Sequence, residues 1–200
     1  MSLSDANDHE LMLSFQQEGD LAAFEELFRR HKDMLLRFLI RLSANHAIAE
    51  DVSQQAWLKA IDVARQGRYT ARAGVTFRTW LCTLARNHFI DEFRRKFAAA
   101  RTVPLPADFE RADAPPRDVA PDPADLAQYQ ERVRRVNEAL LDLPFEQREV
   151  IALWAADFDL DTMVALTGAP RDTLMSRRKY AIAKLRAALT REAEESPNDA

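Results

Sequence analysis

Glycine and cysteine are the scarce residues of this chain, with four of the first and one of the second among 200 positions. No Gly-rich phosphate loop, nucleophile motif or metal-ligand set is present, so no catalytic or cofactor chemistry is expected. The lone Cys82 has no partner for an internal disulfide, which fits a reducing compartment. Nowhere does the chain reach the roughly 18 uninterrupted apolar residues that span a bilayer, so membrane insertion is not expected. The opening "MSLSDANDHE" lacks the basic start and apolar run of a signal peptide. These absences together point to a cytoplasmic protein that is not an enzyme and binds neither metal nor cofactor.

What is abundant is helix-forming sequence. Leu, Ala, Arg and Glu recur at helical spacing, and 47% of residues are apolar, which is enough for a folded core. Gly19-Asp20 is a break and N-cap before a helix in which Phe24, Leu27, Phe28, Leu35, Phe38, Leu39 and Leu42 fall at three- and four-residue steps. "HAIAEDVSQQAWLKAIDVARQG" predicts another helix, ended by Gly67. "RYTARAGVT" predicts a loop. "FRTWLCTLARNHFIDEFRRKF" predicts a further helix, with Phe77, Trp80, Leu81, Leu84 and His88 on one stripe. For Trp80, Cys82 and His88 packing is the simplest role.

Segment 103–125 carries six of the nine prolines and no helical period, so it is expected to be an extended or disordered linker. It divides the chain into a domain at 8–100, a linker at 101–126 and a second domain at 127–191. In the second domain, helices are expected over 127–142 and 145–156. Asp159 then caps a short helix ending at Thr167, Gly168 supplies a turn, and Pro170 opens a long basic helix. That is the pattern of a helix-turn-helix, although plain helical hairpins share it. The long helix should turn Leu174, Ala181, Ile182, Leu185 and Leu189 inward, leaving Ser176, Arg177, Lys179 and Tyr180 mostly off that stripe.

Charge is segregated along the chain. The net charge is −4, yet residues 1–27 hold seven acidic side chains and no Lys or Arg. Residues 68–101 hold eight basic and two acidic side chains, and residues 171–191 hold seven basic and one acidic. Between them, 104–131 is net −5. Basic islands in an acidic background are the electrostatic footprint of nucleic-acid binding, but a charge run is also the composition of a solvated face. Glu50, Asp51 and Gln54 share one side of their helix. No His or Cys stands at ligand spacing beside the two carboxylates, so a metal is not expected there.

Three ordered stretches decide between these readings. "AEDVSQQAWLKAI", "FRTWLCTLARNHFIDEFRRK" and "LPFEQREVIALWAADFDLDTMVALTGAPRDTLMSRRKYAIAKLRAAL" resemble, in turn, the polymerase-binding helix, the promoter-melting helix and the C-terminal domain of the extracytoplasmic-function (ECF) group of the bacterial sigma-70 family. The likeness covers nearly everything except the linker and the tails. It implies an all-α protein of two small helical domains, region 2 and region 4, joined by a flexible Pro-rich acidic linker. Core RNA polymerase would be bound through its two largest subunits, promoter DNA at the minus-ten and minus-thirty-five elements, and an anti-sigma factor as regulator. Glu50, Asp51, Gln54 and Gln55 would meet the polymerase clamp, with Gln55 standing where the family often has an acid. The minus-ten element would be met by Arg68, Tyr69, Arg72, Arg86, Asn87, Arg94 and Arg95, with Tyr69 stacking on an unstacked base. The minus-thirty-five element would be met by Arg171, Thr173, Ser176, Arg177, Lys179 and Tyr180.

The long helix departs from the family pattern. Met175, Tyr180 and Ile182 stand at positions usually basic, and Arg171 and Arg178 at positions usually apolar, so an uncommon promoter element is expected. Arg178 should face inward unless its stem snorkels. A DNA-binding repressor would need neither of the first two motifs. A mimic that titrates an anti-sigma factor would typically carry a phosphoreceiver domain. The expected linker gives the first test: limited proteolysis should cut between about Val103 and Asp125 and leave two helical fragments, whereas protection of that stretch in the free protein would refute it.

Overall fold

The computed structural model describes residues 5–99 and 134–195, the side chains of 93–99, 189 and 191–195 excepted. The expected linker, 101–126, lies outside the described residues. All regular structure among the described residues is α-helical. The helices are α1 (Asp8–Glu18), α2 (Leu21–Ser43), α3 (His46–Arg65) and α4 (Phe77–Ala99), then α5, described over 134–141. They are followed by α6 (Phe145–Ala155), α7 (Leu160–Thr167) and α8 (Arg171–Glu195). Two compact units are present, one within Met1–Leu39 and Ile48–Leu105, the other within Ile40–Ala47 and Pro106–Ala200. The corner between α2 and α3 therefore groups with the second unit.

Local chemistry sets the helix ends. Asn7 caps α1 through a capping box: its side chain accepts from the Glu10 N–H, and its own N–H donates to Glu10 Oε2, both at 3.0 Å. Such a cap stabilises a helix by about 1 kcal/mol. Gly19 ends α1 at φ 71°, a left-handed conformation that a side chain would strain. Asp20 then caps α2, its carboxylate accepting from the N–H groups of Ala22 and Ala23.

In the first unit the α2 stripe falls as the spacing predicts: Leu27, Leu35, Phe38 and Leu39 are buried. Phe28 is the exception. It is 42% exposed, its ring meeting Trp57 edge-on at 5.1 Å. Phe77 and Leu81 of α4 are buried too, and Cys82 is fully enclosed, with its thiol pushed up to about 12 by burial. The start of α1 is tied to α2 by charge. Asp8 accepts from His31 Nε2 at 2.8 Å and from Arg30 Nη1 at 3.0 Å, and Arg30 Nε also bonds Glu26 at 2.7 Å.

The second unit is built on α8, against which α6 and α7 both pack. Leu140, Leu143, Ile151 and Ala181 are buried together with Ala44 of the corner, and Leu141, Ile182 and Leu185 pack on them half-buried. Asp159 caps α7 by accepting from the Thr162 N–H at 2.8 Å, and Gly168 at φ 70° makes the turn. The last carbonyls of α5 receive cations: Lys184 Nζ donates to Asp142 O at 2.5 Å and Arg148 Nη1 to Leu141 O at 3.5 Å. Positive charge there complements the negative end of the helix dipole.

The His31 hydrogen bond, before the contribution of Arg30, holds the Asp8 carboxyl below its ordinary value of 3.8. A carboxyl with a lowered value in the folded state stabilises that state above its unfolded pKa and loses the effect as acid protonates it. Asp8→Asn should therefore lower the thermal midpoint at neutral pH. The gap to the parent should close as pH falls below about 4, measured by melting curves across a pH series.

Candidate nucleic-acid and polymerase interfaces

On α3 the four expected polymerase-facing residues, Glu50, Asp51, Gln54 and Gln55, are all exposed. The helix hides Ala49, Val52, Ala56, Trp57 and Ala60 behind them. Leu58, one turn beyond Gln54, is 50% exposed and extends the same face. Exposed Phe28 of α2 meets Trp57, the residue next to Leu58. An exposed apolar pair beside acidic and amide groups has the composition of a protein interface, apolar at its centre and polar at its rim. Sequence periodicity assigned Phe28 to the core and said nothing of Leu58, although its place one turn after Gln54 puts it on the exposed face.

The loop between α3 and α4 corrects one expectation. Tyr69 is 2% exposed, so it is a core residue and its ring does not face a base. Trp80 lies edge-on to it at 4.9 Å and Phe77 at 6.2 Å, while its hydroxyl bonds His9 Nδ1. Burial, with Asp8 adding to it, pushes the Tyr69 phenol up to about 12, so it stays protonated. Its neighbours are exposed: Arg68, Thr70, Ala71, Arg72, Ala73 and Gly74. A groove of about 610 Å3 runs between this loop and the start of α1, lined by Asn7, Asp8, His9, Arg72, Thr76 and Phe77 among others.

Arg86 is the second correction. It is 8% exposed and donates to Asn87 Oδ1 at 3.2 Å, so it supports Asn87 from within rather than meeting phosphate itself. The reason is its register: Arg86 follows buried Leu81, Cys82 and Ala85, four residues after Cys82. Asn87 itself is exposed. The side chains of Arg94 and Arg95 lie outside the described residues.

On α8 the solvent face is Asp172, Met175, Ser176, Lys179, Tyr180 and Ala183, an unbroken set of three- and four-residue steps. Tyr180 is 65% and Met175 49% exposed; five residues and so about 140° apart, they stand toward opposite edges of the exposed arc, with Ser176, Lys179 and Ala183 between them. Arg177 and Arg178 flank the buried stripe, three and four residues after Leu174 and four and three before Ala181, and both are half-buried. Arg178 faces neither the core nor open water. Its guanidinium lies over the Trp154 ring of α6, 3.9 Å from the centroid, which explains how a cation occupies a usually apolar position. Thr173 is half-buried. Exposed Arg171 is paired with Asp161 of α7 at 2.5 Å, across the turn.

Among the described residues these features amount to an all-helical protein with an exposed acidic and amide face on α3 and a basic helix presented by a helix-turn-helix. Residues 27–97 match the Sigma-70 region 2 family. The chain is 32% identical over 183 residues to the ECF RNA polymerase sigma factor RpoE of Cereibacter sphaeroides, covering 88% of this chain and 91% of that one. It is also 32% identical over 175 residues to the ECF RNA polymerase sigma factor SigM of Mycobacterium tuberculosis, covering 87% of this chain and 81% of the other. A solved structure of the sigma factor RpoE from Bartonella quintana, in complex with the anti-sigma factor NepR, is similar with a TM-score of 0.62. That likeness has 26% identity and covers 85% of this chain and 98% of the other. The chain belongs to the ECF sigma factors of the sigma-70 family.

The solvent face of α8 separates two kinds of contact. Lys179→Ala should weaken binding of the full chain to an upstream-element duplex evenly across sequences and lower the salt slope by about 1. Met175→Lys, at one edge of the face, should shift preference at one or two base pairs. Competition binding against a randomised upstream element at two salt concentrations measures both.

Proposed function

We propose that the protein is an alternative sigma factor that directs core RNA polymerase to a particular set of promoters and opens them, in response to a stress or envelope signal in the cytoplasm. The observation that carries this reading is the exposed α3 face of Glu50, Asp51, Gln54 and Gln55, continued by Leu58. A repressor that only binds DNA has no use for a protein-binding face of this kind. Charged and amide groups on a rigid helix fix the register of a partner, and the apolar side chains supply area to bury against it.

In this reading the domain at 8–100 holds the clamp of the largest subunit and the minus-ten element. The domain at 127–191 holds the flap of the next-largest subunit and the minus-thirty-five element, and 101–126 tethers the two. Arg68 and Arg72 supply phosphate contact on the loop, with Arg94 and Arg95 further along, and Asn87 supplies an amide for a base edge. On α8, Ser176, Lys179, Tyr180 and Met175 face the groove, Thr173 and Arg177 reach it from the flank, and Arg171 reaches phosphate by leaving Asp161. An anti-sigma factor is the regulatory partner, a role supported by the NepR-bound relative.

Replacing Glu50 and Asp51 with Ala should leave helicity and stability within about 0.5 kcal/mol of the parent, as exposed substitutions do. Affinity for core polymerase should fall, and with it transcription from a promoter selected by the parent holoenzyme. A double variant that binds core and transcribes like the parent would reduce the face to solvated surface. A parent that binds core but starts no transcript would instead favour a mimic that titrates an anti-sigma factor.

A further inference from the structure

The loop between α3 and α4 has no regular structure of its own over residues 68–76, yet two side chains from one helix hold both of its ends. Gln16 of α1 uses both halves of its amide on the backbone of a single residue. Its Oε1 accepts from the Tyr69 N–H at 2.9 Å, and its Nε2 donates to the Tyr69 carbonyl at 3.2 Å. Two turns earlier on the same helix, His9 holds the far end, with Nε2 on the Val75 carbonyl at 2.9 Å and Nδ1 on the Tyr69 hydroxyl. A carbonyl only accepts, so Nε2 is the donor to Val75, and Nδ1 shares the second hydrogen bond with the Tyr69 hydroxyl.

The clamp is thus two-pointed. It grips Tyr69 and Val75 and leaves 70–74 exposed between them, with Arg72 in the middle. Within the loop, the Val75 N–H returns to the Arg72 carbonyl at 3.1 Å, closing the turn at Gly74. Helix α1 is itself secured from outside the loop by the Asp8 bonds to His31 and Arg30 of α2. It also forms one wall of the groove beside the loop through Asn7, Asp8 and His9. The part of the chain that matches the Sigma-70 region 2 family begins at Leu27, after α1 has ended.

We infer that α1 is a positioning element for promoter reading, with Gln16 and His9 setting the shape of the 68–76 loop that meets the minus-ten element. This rests on the proposed reading of that loop. A reading loop that must hold an opened strand cannot afford to be reordered on each encounter, because ordering it then subtracts from affinity. Bonds that fix its backbone beforehand raise discrimination without touching a base. Gln16 and His9 act through the backbone of Tyr69 and Val75, so their substitution should alter base discrimination more than affinity for polymerase.

The test uses the full chain bound to core polymerase, with a minus-ten element first selected by the parent holoenzyme from a randomised promoter. The measured quantity is the affinity ratio for a single-stranded non-template oligonucleotide carrying that element over a scrambled one. Gln16→Ala, which removes both bonds to Tyr69, should lower the ratio by about tenfold, with core binding changed less than about twofold. Gln16→Glu keeps the acceptor but loses the donor, and should fall between Gln16→Ala and the parent. His9→Phe keeps a ring in place and removes both nitrogens, so it tests the clamp independently should Gln16→Ala fold poorly. Hydrogen exchange at the Tyr69 amide should speed up in Gln16→Ala, which loses the acceptor of that N–H, and much less in Gln16→Glu, which keeps it. Variants that stay folded and keep the parent ratio overturn the clamp. A parent that shows no preference for any minus-ten sequence overturns the proposed function instead, a result that the variants cannot produce.

Discussion

The burial of Tyr69 is the constraint on which the first unit depends. A phenol enclosed by His9, Phe77 and Trp80 must have its hydroxyl satisfied, and His9 supplies the hydrogen-bond partner. That one requirement brings α1, the loop and α4 together at a single ring. The backbone of the same residue is then met by Gln16, so the loop is fixed at its base by a core residue rather than by its exposed arm. The arrangement lets residues 70–74 be polar, small and exposed without leaving the loop unattached. A loop whose aromatic faced outward would have needed some other anchor.

The second unit solves a different problem with the same economy of parts. Its long helix carries positive charge on a protein that is acidic overall, and not all of that charge is directed outward. Arg171 is held by Asp161, Arg178 lies on Trp154, and Lys184 serves the carbonyl end of α5. The exposed arc opposite the buried stripe carries a mixed set, Ser176, Lys179, Tyr180 and Ala183, with Met175 at its edge. A face of that composition has fewer point charges for phosphate and more surface for base edges and thymine methyl groups.

Much of this was legible in the sequence. Every helix boundary that rested on a cap or a glycine turn appears where its chemistry puts it, because Asp20, Asp159, Gly67 and Gly168 act on groups only a few residues away. The exposed α3 face was equally legible, since helical spacing alone places Glu50, Asp51 and Gln54 together. Tyr69 and Arg86 were not. Both are polar residues in a basic stretch, and composition assigns such residues to the surface. The burial of Tyr69 is decided by partners far away in sequence, His9 and Gln16; that of Arg86 follows from its register on the α4 face that carries Cys82 and Ala85, where its charge argued against what the spacing showed. The α8 face lies between these cases. Counting from Leu174 and Ala181 places Arg177 on one flank and Met175 at the edge of the exposed arc, so the information was present in the spacing.

The departures of α8 from its family then have a structural account. An arginine at 178 is tolerated because Trp154 offers a ring face rather than an aliphatic pocket, and the cation keeps its charge while covering apolar surface. Ile182 is half-buried against the Leu140 and Ile151 cluster, where a basic residue would have to carry its charge out past apolar neighbours. Charge has moved from 182 to 178, one turn along the same side of the helix, and the apolar side chain has moved the other way. The exchange leaves the fold of the unit intact and changes what the groove-facing line contains. Where the family pattern is usually basic at 175, 180 and 182, this helix presents Met175 and Tyr180 to solvent and packs Ile182 half-buried.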